Sequence, residues 1–498
     1  MGTDRGGIAI VGAGFAGLAM GIRLKQAGLD DFVLYERREG LGGTWYDNHY
    51  PGAACDVQSH LYSFSFEPKP DWSRSFAPQK EILAYLEHCA DKYGLRPHLR
   101  LGTAVTGATF DEGAGRWTIR TSGGGEASHR HVVFCTGGLS RPAFPDLPGL
   151  SSFDGKVMHS AQWDDGYPLE GKAVAVIGTG ASAIQIVPSI APRAGRLHVF
   201  QRTPPWIVPK PDGEIPRGLR AWYARVPLLQ RLVRYALYWQ KELLALGFTR
   251  FPGLLRLAEL VARRHLARSV ADPELRRKLT PHYRLGCKRV LPTNDWYPAL
   301  QRPHVELVTD AIAGIRGNAV VTRDGRERPV DVLILATGFQ AAEAVAPFEI
   351  RGRGGLELTE RWRDGPEAYL GTTVAGFPNA FFIVGPNTGL GHSSMILMIE
   401  SQVQYILSAL QAARDRGLAI LDVRPEAQAS YNRRLQQRLS RTVWNTGGCV
   451  SWYLTRSGRN TTLWPGFTFE FRYRTRQFDA ASYRMETAPA AVAERRAS

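Results

Sequence analysis

Three short stretches carry residue types at spacings that could do chemistry. Gly12-Ala13-Gly14-Phe15-Ala16-Gly17 follows the apolar run Ile8 to Val11 and opens a helical pattern through Leu18, Ala19, Ile22 and Leu24 to Gly28. A second apolar run, Phe32 to Tyr35, then ends on Glu36. In such a unit Gly12 permits the tight turn, Gly14 lets a pyrophosphate approach the backbone, and Gly17 lets helix and strand pack closely. The helix N-terminus offers amide donors to phosphate, and the terminal acid accepts from ribose hydroxyls. The second stretch, Gly178-Thr179-Gly180-Ala181-Ser182-Ala183, follows Val174 to Ile177 and repeats the arrangement. Its own second strand, Leu197 to Phe200, runs into Gln201-Arg202-Thr203 instead of an acid. An acid there would repel a 2′-phosphate, whereas the planar fork of Arg202 binds one. Site one is therefore expected to take FAD, through Gly12, Gly14, Gly17 and Glu36. Site two is expected to take NADPH, through Gly178, Gly180, Ser182, Arg202 and Thr203. The third stretch is Gly286-Cys287-Lys288-Arg289, whose adjacent cations taken alone are an ordinary basic pair.

Holding these residues takes an α/β architecture of two Rossmann-like dinucleotide-binding domains, and 498 residues suffice for two or three domains. The chain is expected to cross between them more than once. Val132 to Gly138 and Asp331 to Phe339 both read as strands ending in Thr-Gly, and the Pro-rich run Arg141 to Gly149 reads as a linker. The expected division gives the FAD domain 1–140 and 332–498, and the NADPH domain 141–215 and 276–331. Phe381 to Asn387 reads as a strand running into a glycine-rich loop, followed by a long helix from about Ser393 to Ala413. Residues 216–275 form a helical insert, in which Trp222, Val226, Leu229, Leu232, Ala236 and Trp239 recur at helical spacing among arginines. The expected insert packs on the nucleotide domains with its basic residues in water. The alternative is weak contact with a membrane surface.

Composition narrows the function further. A net charge of +16 could suggest nucleic acid, but the cations are spread along the chain and two pyrophosphate-bearing cofactors use positive potential as well. No nucleic-acid partner is expected. The five cysteines show no CxxC pair, which argues for a reducing compartment, against a metal site and against a dithiol reductase. No apolar run is long enough to span a bilayer, and the first strand begins almost at once, so a cytoplasmic location is expected.

Two dinucleotide folds suit reductases and several kinds of oxygenase alike, since fold does not fix function. Two further patterns separate them. Phe153, Gly155, His159, Trp163 and Asp164 resemble the FxGxxxHxxxW[PD] fingerprint of type I Baeyer–Villiger monooxygenases. Gly42, Gly43, Trp45, Tyr50, Pro51, Gly52 and Asp56 resemble that family's second pattern, [AG]GxWxxxx[FY]P[GM]xxxD. With the nucleotide motifs, the resemblance spans roughly residues 7 to 470. One departure is Ala54, where many members carry Arg.

The resemblance implies an FAD-dependent enzyme that uses NADPH and O2 to turn ketones into esters or lactones through a C4a-peroxyflavin. By the same match Arg289, in Gly286-Cys287-Lys288-Arg289, is the catalytic arginine, and Asp56 is the carboxylate that positions it. A peroxide anion needs a cation that cannot lose its proton, and arginine meets that condition. Lys288 is expected to join Arg202 at the 2′-phosphate. Thr44 and Trp45 are expected at the flavin, and Trp452 at the nicotinamide cofactor. His159 is expected to couple domain movement to cofactor binding, not to act as a base. A heteroatom oxygenase making S- or N-oxides is the alternative, against which Trp163 and Asp164 weigh. A flavin reductase is disfavoured by the absent cysteine pair, and a non-enzymatic binding protein would leave Arg289 and Asp56 without a purpose.

Overall fold

The structure is a computed structural model that describes residues 7–340, 345–455 and 457–487. Ile8–Val11 (β1) is buried throughout and pairs in parallel with Phe32–Tyr35 (β2) on one side and His131–Phe134 on the other. A strand covered on both faces reads as a continuous apolar run, so β1 shows no alternation. Leu99–Arg100 and Ala380–Phe382 complete this five-stranded sheet. Phe15–Gln26 (α1) joins β1 to β2 and stops before Gly28, whose φ of +67° suits glycine.

A second five-stranded parallel sheet repeats the plan. Ala173–Ile177 (β3) lies at its centre between Arg196–Phe200 (β4) and Val332–Leu335 (β5), with Val305–Val308 and Lys156–His159 at the edges. Ala183–Ile190 (α2) joins β3 to β4. The expected return to the first domain at 331/332 is corrected: β5 belongs to the second sheet, and the chain leaves after it. Val332 to Leu335 fill the gap between β3 and Lys156–His159, and all four are buried. The two crossings then run side by side. The Ala143 amide donates to the Gly338 carbonyl (2.9 Å), the Gln340 amide to Arg141 (2.9 Å) and the Thr337 hydroxyl to Ala143 (2.6 Å).

The insert consists mainly of Arg217–Arg225 (α3), Pro227–Thr249 (α4) and Leu255–Ser269 (α5). It is helical as expected and most of its basic residues face water, but Trp222, Val226, Leu232 and Trp239 of its recurring apolar set are exposed as well. On α4 the polar Gln230 and Glu242 are buried, while Leu232 and Trp239 face outward. Ala245 and Phe248 are buried beside Gln230 and Glu242, and Leu229, Val233 and Tyr238 pack against the core, so the helix rests on mixed polar and apolar ground. Met395–Asp415 (α6) packs against α1 and starts where the Ser394 hydroxyl accepts from the Ile396 amide (3.3 Å). Among the described residues no helix is long and apolar enough to cross a membrane.

Candidate active site

The turn after β1 is closed by backbone. Gly12 has a φ of +106°, and a Cβ there would lie 2.6 Å from the Cys135 carbonyl oxygen. A Cβ on Gly17 would lie 1.8 Å from the Gly12 oxygen. Gly14 instead faces the Gly43 Cα, so the two glycine turns leave bare backbone on either side of a cradle. Gly43 leads into the short helix Thr44–Asp47, and the Trp45 indole donates to the Tyr62 hydroxyl (3.1 Å). Glu36 is buried at the end of β2, accepting from the amides of Ala13 (2.8 Å) and Arg38 (3.0 Å). A turn packed too tightly for a side chain at Gly12 or Gly17, with a carboxylate at the strand end, fits an adenine dinucleotide. Gly12, Gly14, Gly17 and Glu36 would hold it, with Thr44 and Trp45 on the turn opposite.

The second cradle follows the same logic. Gly178 has a φ of +117°, and a Cβ there would lie 2.4 Å from the Ala336 oxygen, whereas the Gly180 position opens on free space. Ser182 immediately precedes α2, and the Thr179 hydroxyl donates to the Thr203 carbonyl (3.2 Å). Burial pushes the Lys288 amine below its ordinary pKa, and the charge of Arg202 pushes it further down. Two like charges brought together this way suit a phosphate, which removes their repulsion. The pair fits the 2′-phosphate of NADPH.

An ion pair that the sequence holds 233 positions apart ties the segment after the Gly43 turn to the loop that carries Lys288. Arg289 Nε and Nη2 donate to the two oxygens of Asp56, each at 2.6 Å. Burial pushes the Asp56 carboxyl upward, but Arg289 outweighs burial and holds it below the usual carboxylate range. Asp56 in turn raises Arg289, so both groups stay charged at any ordinary pH. The segment before Asp56 lies across α2. The Tyr50 hydroxyl donates to Gln185 (3.0 Å), and Gln185 donates back to the Ala54 carbonyl (2.9 Å). Gly52 has a φ of +82°, and a Cβ there would lie 2.7 Å from the Gln185 oxygen. Tyr50 and Gly52 thus dock the Asp56 segment on the second domain.

A family model described as pyridine nucleotide-disulphide oxidoreductase matches residues 9–223. A Baeyer–Villiger monooxygenase of Pseudomonas aeruginosa is 51% identical over 97% of this chain and 92% of its own length. The chain belongs to the Baeyer–Villiger monooxygenases. The solved structure of an oxidized steroid monooxygenase bound to NADP is 34% identical, covers 97% of this chain and 99% of its own, and superposes with a TM-score of 0.86. OTEMO complexed with FAD and NADP is 27% identical over 96% of this chain and 99% of its own, with a TM-score of 0.85. FAD and NADPH are the cofactors of this Baeyer–Villiger monooxygenase.

The remaining residues divide. In this Baeyer–Villiger monooxygenase Trp163 is a core residue of the second domain, packed with Met158, and Asp164 accepts from Lys156 (2.5 Å). His159 lies between Phe144 of the first crossing (5.4 Å between centroids) and Phe339 of the second (5.9 Å). Burial lowers its pKa, which keeps the imidazole neutral. Trp452 is exposed, tilted against the ring of Tyr453. Tyr453 is the one turned inward: it is buried, near enough for Arg289 and Asp56 to act on it, and burial pushes its hydroxyl up to about 12. Lys241 of α4 also faces the pair. Burial lowers its amine, Asp56 raises it and Arg289 lowers it again. Sequence reasoning found neither Tyr453 nor Lys241. The latter's only signal is a lone lysine in an arginine-rich helix. The cysteine expectation is also corrected, since Cys287 and Cys449 form a disulfide across 162 positions. Spacing cannot reveal a pair so distant, and the cysteines no longer argue for a reducing compartment.

Proposed function

We propose that Arg289 and Asp56 form the reaction centre of this enzyme, with ketone, NADPH, a proton and O2 giving an ester or lactone, NADP+ and water. The supporting observation is the two-point pair itself, which ties the segment after the Gly43 turn to the loop that carries Lys288. When bound, reduced FAD supplies the electrons and the activated oxygen that reaches the carbonyl. Arg289 supplies a cation that cannot be titrated away, and its Nη1 is not used by Asp56. That nitrogen can donate to negative charge developing on an oxygen, the interaction that lowers a barrier most in a dry site. Asp56 fixes the guanidinium plane. Lys241 adds positive field from the insert, and the buried Tyr453 lies near the pair. Arg202 and Lys288 hold the 2′-phosphate, and His159, neutral and packed between both crossings, transmits movement between the domains. We further propose a cytoplasmic location, which requires the Cys287–Cys449 disulfide to persist against cytosolic reductants, and open-chain or bulky apolar ketones as substrates.

The test follows labelled oxygen from O2 into products of 2-decanone, cyclohexanone, acetophenone and a thioether. Wild-type enzyme should give an ester or lactone with one labelled atom. Arg289→Ala should still bleach its flavin with NADPH but form product at least about a hundredfold more slowly. Normal product yield from that variant would remove Arg289 from the centre. Sulfoxide alone, with every ketone returned, would favour heteroatom oxygenation.

A further inference from the structure

Helix α4 buries polar side chains among its apolar ones: Gln230 donates to the Lys69 carbonyl (2.6 Å), Arg234 donates to the His60 carbonyl (2.8 Å), and Glu242 accepts from the Thr468 amide (3.0 Å), while Ala245 and Phe248 are buried beside them. Its outward face carries Leu228, Leu232, Tyr235, Trp239 and Leu243, each more than half exposed. Those positions advance by four, three, four and four residues, so they form one stripe along the helix. The turn after α4 exposes Phe251 and Leu254, and α5 adds Leu257, Leu260 and Val261. Phe469, also exposed, abuts Trp239 with ring centroids 6.1 Å apart. Single exposed leucines need no explanation, but five large apolar side chains in one stripe, with Phe469 against it and more exposed on the turn and helix that follow, mark a surface that something covers.

The charge around the band says what covers it. Residues 217–269 contain eleven arginines and lysines, and their only acids are Glu242 and Glu259. Glu242 is buried under α4, and Glu259 accepts from the Leu285 amide (3.0 Å). Arg231 on α4 and Arg256 and Arg264 on α5 are exposed without an opposing carboxylate among the described residues. At the end of α4, Arg250 lies over Phe467, which stacks on Phe469, and it rims an open cleft together with Arg434 and Arg441. A second copy of the chain fits poorly, because a twofold contact would set these arginines against themselves. An anionic lipid surface matches both features. Apolar side chains enter the acyl boundary, arginine stems follow them, and guanidinium heads meet phosphate.

We propose that the outer face of α4 and α5 docks this enzyme on an anionic lipid surface. The face is part of no catalytic contact, so the proposal stands or falls apart from the assignment of Arg289. Docking would bring the insert, which carries Lys241 on its inner side, to the phase in which apolar ketones dissolve.

The experiment is co-sedimentation of the full-length, FAD-loaded enzyme with phosphatidylcholine vesicles, with and without phosphatidylglycerol. The expected result is at least about tenfold more bound protein on the anionic vesicles, falling as salt is added. The triple variant Leu232→Glu, Trp239→Glu, Leu243→Glu should stay in the supernatant while keeping its FAD and its turnover of a water-soluble ketone. If that variant loses FAD, Arg231→Glu, Arg256→Glu, Arg264→Glu replaces it and should lose the anionic preference. Equal recovery with both vesicles overturns the proposal, as does undiminished binding by a folded variant. A concentration-dependent dimer without vesicle binding assigns the face to a second copy and overturns it too. If the protein neither binds vesicles nor dimerises, the face is left to a protein partner and lipid docking is overturned as well.

Discussion

In the proposed reaction centre Arg289 and Asp56 hold each other's charge, so pH is expected to act there through Lys241 instead. Burial and Arg289 both lower its amine, and Asp56 only partly opposes them. A lysine with a lowered pKa gives up its proton earlier as pH rises, and its positive field then leaves the Arg289–Asp56 pair. The rate of ester formation should therefore fall on the alkaline side in the wild type. Lys241→Arg should move that fall to higher pH, because guanidinium keeps its proton. Lys241→Met should flatten the alkaline limb at a rate about tenfold lower. Superimposable pH profiles for all three proteins would take Lys241 out of the centre. Arg289 and Asp56 were legible in the sequence because each ends a patterned segment. Lys241 was not, because no pattern says which side chain of a basic helix turns inward. Trp452 shows the same limit at one residue's resolution: the segment was legible, but its neighbour Tyr453 is the one that faces Arg289.

At the scale of elements, the nucleotide-binding strands were legible because being covered on both faces leaves an apolar run that only a parallel sheet explains. The insert was legible as helix but not in its facing, since burial there follows hydrogen-bond partners on distant segments. The second sheet also holds a polar tie that periodicity does not show. Glu306, on Val305–Val308, accepts from Arg328 (2.8 Å) and pairs with His198 of β4 (2.8 Å). The hydrogen bond from Arg328 is the main cause that brings its carboxyl down to about 2. A carboxyl whose folded pKa is depressed contributes stability above its unfolded pKa, near 4.5, and loses it as pH falls through about 2. Glu306→Gln should therefore lower stability at neutral pH by about 1 to 2 kcal/mol, after discounting for its partial exposure. The gap between variant and wild type in thermal melts should narrow as pH falls below about 4. A gap independent of pH would mean that packing, not charge, is what the substitution removes.

For the whole molecule, the two domains are joined by more than the chain crossings. Tyr50 and Ala54 of the first segment clasp Gln185 of α2, and the two crossings pair with each other. The disulfide adds a covalent tie: Cys287 sits two residues before Arg289, and Cys449 three before Trp452. It therefore holds the loop that presents Arg289 to the C-terminal segment that presents Tyr453. A link that closes 162 residues of sequence restricts the unfolded chain strongly, a contribution of about 2 to 4 kcal/mol in typical cases. Cys55, Cys89 and Cys135 are free and buried. Thiol titration of the enzyme unfolded without reductant should thus find three thiols, and five after reduction. The reduced enzyme, and Cys449→Ser, should melt at lower temperature and should lose ester yield relative to NADPH consumed, because Arg289 and Tyr453 would no longer be held together. Five thiols in the unreduced protein would remove the tie. The loop would then depend on the Arg289–Asp56 pair alone, and the expectation of a reducing compartment would stand again.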